Sequence, residues 1–154
     1  GTSVQGLPLV KPPWGRITAI DLNEGEIVWQ VAHGETADNV RDHPALQNLE
    51  IPRTGRPGRI GTLVTKTLVI AGDGGRFTDS EGVEGARLRA YDKATGREVA
   101  SVFIPSNQTG SPMTYAIGGV QYLLVAVGGG GYAGELLAVR LPESVTEEYQ
   151  PVAP

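Results

Sequence analysis

The side chains able to do chemistry are few and scattered. His33 and His43 lie ten residues apart with Asp38 and Asp42 close by, donors that suit a divalent metal or proton transfer. Their spacing matches no ligand motif, so histidines solvated in a loop are expected instead. Arg53, Arg56 and Arg59 recur every third residue in PRTGRPGR, a run that suits a phosphate or an acidic partner. The glycines and prolines around them point to a loop, with the arginines solvated or paired locally with acids such as Glu50. Four glycines at 128–131 resemble a phosphate cradle only in composition, since no Lys-Ser/Thr pair follows. Ser111 and Ser144 lack the Gly-x-Ser-x-Gly context of a serine hydrolase. Cysteine is absent, which excludes a thiolate nucleophile, a disulfide framework and a thiolate-held zinc or iron–sulfur centre. Thirteen basic against seventeen acidic residues give a formal charge of −4, the wrong sign for a dedicated nucleic-acid binder. No catalytic residue and no metal ligand is assigned on these grounds.

The elements that must position these side chains emerge from an internal repeat. Residues 16–31 read RITAIDLNEGEIVWQV, and 71 residues later 87–102 read RLRAYDKATGREVASV. Arg16/Arg87, Ala19/Ala90, Asp21/Asp92, Gly25/Gly96, Val28/Val99 and Val31/Val102 coincide. A partial third copy, ELLAVRL at 135–141, stops after one strand, with Arg140 where the others have Asp. Each full copy reads as a β-hairpin. Period-two alternation gives the strand, Asp21 or Asp92 accepts turn N–H groups, and Gly25 or Gly96 takes positive φ. Short apolar strands at 62–65 and 68–71 precede the second hairpin and end in GDGG at 72–75. The same order recurs at 113–117 and 122–127, ending in the glycine run.

Four-stranded units at this spacing predict an all-β fold of β-propeller blades, built as four-stranded antiparallel sheets. The division is a half blade at 15–31, a long loop at 32–60, a full blade at 61–104 and a three-stranded last blade at 111–141. Terminal extensions fall at 1–11 and 143–154. About two and a half blades do not close a ring, so the exposed strand edges predict association with the remaining blades or self-association. The 22 glycines and 11 prolines punctuate apolar runs in a chain that is 40% hydrophobic, which is unlike disorder. No apolar run is long enough to span a membrane, and any signal peptide is expected to lie upstream or to have been removed.

Several stretches resemble the C-terminal blades of pyrroloquinoline-quinone (PQQ)-dependent dehydrogenases of the quinoprotein glucose/alcohol dehydrogenase family. These are PPWGRITAID at 12–21, GTLVTKTLVIAG at 61–72, LRAYDKATG at 88–96, SPMTYAIGGVQYLLVAVGGG at 111–130 and ELLAVRLP at 135–142. The resemblance implies an eight-bladed ring, periplasmic or secreted, with PQQ and Ca²⁺ at its centre and a sugar or alcohol as substrate. It implies that the catalytic Asp and most quinone and calcium contacts belong to earlier blades, leaving this segment inactive alone. Two cofactor contacts are expected within the chain: Asp73 in GDGG, whose alternative role is to cap a glycine turn, and Trp14 in Pro-Trp-Gly, whose alternative is packing between blades. Trp29 is expected to wedge between adjacent blades. A non-enzymatic propeller scaffold is the competing reading, favoured by Ala100 replacing Trp in the second repeat and by the insertions at 32–60 and 76–85.

Overall fold

The computed structural model describes residues 2–140. Position 141, the extension at 143–154 and Ser144 lie outside the described residues. Strands β1 (Ser3–Val4) and β2 (Leu7–Pro8) form a small hairpin inside the N-terminal extension. Strands β3 (Arg16–Asp21) and β4 (Glu26–Ala32) form the first repeat hairpin. Next come β5 (Leu63–Val64), β6 (Leu68–Gly72), β7 (Phe77–Thr78), β8 (Glu84–Asp92) and β9 (Glu98–Ile104). The last sheet holds β10 (Met113–Ile117), β11 (Val120–Gly129) and β12 (Tyr132–Arg140). All pairings are antiparallel.

The central sheet runs β5–β6–β8–β9. Strand β8 is longer than β6, and the two-residue β7 pairs with its free end at Gly85 and Glu84. That short strand lies in the charged excursion at 76–85, which therefore adds to the sheet. The long connection at 32–60 also carries structure: the single helical turn α1 (Asp38–Arg41) and a 3₁₀ turn at Pro44–Leu46.

Alternation along β8 gives it two different faces. Ala86 and Leu88 join Ile70, Ile104, Val125 and Val127 in the apolar core between the central and last sheets, with Ala90 packed against it. Arg87, Arg89 and Tyr91 point the other way, toward the first hairpin and the 32–60 connection. The two turn aspartates work alike. Asp21 Oδ1 accepts the N–H of Asn23 at 2.8 Å, and Asp92 Oδ1 accepts the N–H of Thr95 at 2.9 Å and its hydroxyl at 2.8 Å. The Thr95 hydroxyl, followed by its backbone N–H, holds the Asp92 carboxyl below the usual range.

Trp29 of β4 joins the first hairpin to the central sheet. Its Nε1 donates to the Lys93 carbonyl at 2.9 Å, and its ring lies over Gly96, where a Cβ would sit 2.6 Å from it. The central and last sheets are tied by Gln108, which is buried. Its Oε1 accepts the Gly72 N–H at 2.6 Å, its Nε2 donates to the Gly61 carbonyl at 2.8 Å, and its backbone bridges Val127.

Gly25 and Gly96 occupy equivalent turns with φ of +71° and +73°, but only Gly96 has Trp29 above it. Gly25→Ala is expected to cost the left-handed backbone penalty alone, about 1–2 kcal/mol. Gly96→Ala is expected to cost clearly more, because Trp29 must also move. Urea unfolding of both variants checks this, and equal losses would contradict the docking of Trp29 on this turn.

Candidate functional site

Three connections meet at one end of the sheets: 32–60, the β6–β8 excursion, and the glycine run after β11. Arg41 Nη1 donates to the Thr78 carbonyl at 3.0 Å, while Asp38 Oδ2 accepts the Thr78 N–H and hydroxyl at 3.1 and 3.0 Å. Arg76 Nη2 donates to the Gly130 carbonyl at 2.7 Å. Arg56 Nη1 donates to the Arg76 carbonyl. The glycine run thus presents a carbonyl to a guanidinium, the reverse of a phosphate cradle.

Beneath these loops lies an ion-pair hub centred on Arg89, whose side chain is 2% exposed. Its Nε and Nη2 fork onto the two oxygens of Asp73 at 2.8 and 3.3 Å. Nη1 reaches Glu98 Oε1 at 3.0 Å, and Nη2 reaches Glu35 Oε1 at 2.6 Å. Glu98 is shared with Arg53 at 2.5 Å, and Arg87 lies 4.0 Å from Glu35. Burial alone would lower the Arg89 pKa, but Asp73, then Glu35 and Glu98, outweigh it and leave it raised. Three carboxylates face three guanidinium groups, so the hub is neutral as a unit.

Asp73 is fully buried, and its two oxygens are committed to Arg89 and to the Arg87 N–H at 3.2 Å. Arg53 pairs with Glu98 across the fold, so the expected local pairing with Glu50 is corrected: the connection folds back onto β9 and brings a distant acid closer.

His33 also departs from the sequence reading. The sequence predicts a solvated loop histidine, yet His33 is 4% exposed, because β4 carries it straight under the connection. Its Nε2 lies 3.0 Å from the Gly72 carbonyl, an acceptor only, so Nε2 carries the proton. Nδ1 then accepts the Tyr91 hydroxyl at 2.8 Å. Burial lowers the His33 pKa against the pull of Gly72 and Asp73, and burial raises that of the Tyr91 phenol. His43 does stay near the surface, where Nδ1 accepts the Ala45 N–H and Nε2 meets the Gln5 carbonyl.

Above His33 opens a cavity of ≈ 460 Å³, walled by Trp14, Arg16, Ile17, His33, Arg56 and Ile60 among others. The half-buried Trp14 is fixed by its Nε1, which donates to the Val10 carbonyl at 2.7 Å. Asp73 is not on this wall, although its neighbour Gly74 is. The two residues singled out from sequence thus lie apart, one in the hub and one on the cavity. His33 and Arg56 were missed as structural centres; the signal for the hub was the Arg-x-Arg-x-Tyr alternation in a central strand.

Residues 1–123 match the model of the glucose/ethanol/alcohol dehydrogenase β-propeller domain, a PQQ family. The chain belongs to that family. It is similar to quinoprotein glucose dehydrogenase A of Acinetobacter calcoaceticus, 31% identical over 90% of this chain and 17% of the relative. It is also similar to the Gluconobacter thailandicus glycerol dehydrogenase large subunit, 31% identical over 92% of this chain and 19% of the relative. The 1-butanol dehydrogenase (cytochrome c) of Thauera butanivorans is 29% identical over 87% and 15%. The chain therefore spans less than a fifth of the length of these relatives. The antiparallel sheets are partial propeller blades of this family.

The neutral His33 sets a pH dependence. Its folded pKa lies below the unfolded value of about 6.5, so the stability it contributes is complete above that pH and is lost as pH falls through the folded pKa. Urea midpoints at pH 7.5 and 5.5 are expected to drop further in the native chain than in His33→Gln. Equal drops would contradict a buried neutral imidazole.

Proposed function

We propose that this chain supplies the closing blades of an eight-bladed quinone-dependent dehydrogenase that oxidises a sugar or an alcohol, in the periplasm or outside the cell. The observation that carries the reading is the match to the dehydrogenase propeller family together with incomplete sheets at both ends of the described fold. Among the described residues the first hairpin pairs with no inner strands, and the last sheet has three strands where the central blade has four plus β7. Ile20, Ile27 and Val28 on the hairpin, with Met113, Ile117 and Leu136 on the last sheet, expose apolar surface that further blades would cover.

PQQ supplies the redox chemistry in such an enzyme and Ca²⁺ polarises it. The described residues do not fit a calcium site. Among them no three His, Asp or Glu side chains are grouped to hold a metal ion, and both Asp73 oxygens are already bonded. The role we assign to Asp73 is to position Arg89, and no step of the oxidation is given to this chain. Trp14 suits a different role, because its half-buried indole offers a flat apolar wall to a ring bound at the central face. The residues here hold the loops in place, exclude water from the hub and close the ring.

The test is dye reduction by the longer protein carrying these blades, with PQQ and Ca²⁺ added and a panel of sugars and alcohols as donors. Activity dependent on both additions is expected. No activity across the panel would leave the scaffold reading in its place.

A further inference from the structure

Residues 51–62 belong to no strand or helix, yet part of this stretch is built into the cavity wall. Arg56, Pro57 and Gly58 line the cavity together with Trp14, Gly15 and Arg16. Backbone hydrogen bonds stitch these two segments together. The Trp14 N–H donates to the Thr54 carbonyl at 2.8 Å, and His33 makes the remaining stitches. Its N–H donates to the Gly15 carbonyl at 2.9 Å, and its own carbonyl accepts the Arg56 N–H at 2.9 Å. Gly55, at φ +68°, comes so close that a Cβ there would overlap the Gly15 carbonyl oxygen and sit 2.8 Å from that of His33. Gly58 lies against Gly74, where a Cβ would fall 2.6 Å from the Gly58 Cα.

The ring of the same residue is seated on the central sheet and has no place for a second proton. Its Nε2–H is committed to the Gly72 carbonyl and its Nδ1 to the Tyr91 hydroxyl, which makes no other hydrogen bond among the described residues. An imidazolium would set Nδ1–H against the phenolic hydrogen of a fully buried tyrosine. The surrounding charges do not offset this. Asp73, beyond β6, favours an added proton, but it is already paired with Arg89 of β8, and Arg89 and Arg53 of the connection oppose it. Glu35 and Glu98 are paired with Arg89 and Arg53, while Arg16 and Arg56 bring two more cations to the wall that His33 shares. Burial holds the imidazole below its ordinary value, so the closed form is complete above about pH 6.5 and is lost as pH falls through the folded value. The neighbouring space that can hydrate a charged ring is the ≈ 460 Å³ cavity, which His33 itself lines.

We propose that His33 is an acid-operated latch on this cavity, whose protonation releases the strap 55–58 while the sheets stay folded. The charged ring leaves Tyr91 for the cavity, and His33, turning with it, gives up its backbone bonds to Gly15 and Arg56. The strap moves as a unit because its two flanks are held differently. Before it, Arg53 is paired with Glu98 and the Thr54 N–H donates to the Thr36 hydroxyl at 3.1 Å. From Arg56 onward it meets neutral groups, the Arg76 carbonyl and the backbone of Gly74. The latch is a property of this chain and stands whether or not the dehydrogenase reading does.

Amide hydrogen exchange read by mass spectrometry, in steps from pH 7.5 to 5.0 and corrected for the intrinsic rate, follows the strap. Deuteration of the His33 C2 hydrogen over the same steps follows the ring's own titration in the native chain. Protection of residues 33–34 and 55–58 is expected to fall at least about tenfold along the His33 titration, while β8 and β11 keep theirs. The step is expected to survive in His43→Gln and to vanish in His33→Gln, whose amide takes up no proton in this range. Unchanged strap protection at pH 5.0, or a step that departs from the His33 titration, would overturn the proposal. So would a step that persists in His33→Gln, or protection lost in β8 and β11 at the same pH. The C2 reading belongs to the native chain, so the latch stays open to refutation even if His33→Gln does not fold.

Discussion

The bidentate contact between Arg89 and Asp73 is the interaction on which this end of the molecule depends. Both groups are all but removed from water, so neither tolerates loss of the other: an unpaired buried charge costs several kcal/mol. Asp73 is fixed in turn because its backbone carbonyl accepts the Gln108 N–H and its own N–H reaches the Arg87 carbonyl. The pair thus sits where the end of β6, the middle of β8 and the segment leading to the last sheet meet. Through Glu35 and Glu98, Arg89 then recruits the start of the long connection and strand β9.

This arrangement explains how a connection of nearly thirty residues is held with so little regular structure. Loops of such length need their own anchors. Here the chain is pinned by His33 to Gly72 and Tyr91, by Glu35 to Arg89, by Asp38 to Thr78, and by Arg53 to Glu98. Each anchor is polar, and two of them, His33 and Glu35, meet Tyr91 and Arg89 on the loop-facing side of β8. The opposite face of β8 is apolar and packs on the last sheet. One strand therefore packs on the last sheet on one side and holds the long connection on the other.

Much of the architecture was legible because repeats and period-two alternation are local signals. The Asp–Gly turns and the paired hairpins follow from residues a few positions apart, and Trp29 lies over the Gly96 turn. What was not legible depends on contacts across the fold. His33 reads as a polar loop residue until Tyr91, 58 positions away, gives it a partner. Arg53 has a nearer acid in sequence, yet meets Glu98, 45 positions on. Arg56 is invisible as a special residue because its seat is built by Gly15, Gly34 and Gly75, each of which reads alone as an ordinary turn glycine. Within the long loop at 32–60, a short polar stretch closes the single turn α1.

The claim that the Arg89 hub joins the loops to the blade is tested most directly by amide hydrogen exchange on the chain carrying Arg89→Met. Removing the guanidinium leaves Asp73, Glu35 and Glu98 without their common partner. Protection is predicted to fall together at the end of β6, in the middle of β8, and in residues 33–36 and 53–56, while β10–β12 keep theirs. Loss confined to residue 89 and its immediate neighbours, with the loop amides as protected as before, would contradict the hub's joining role.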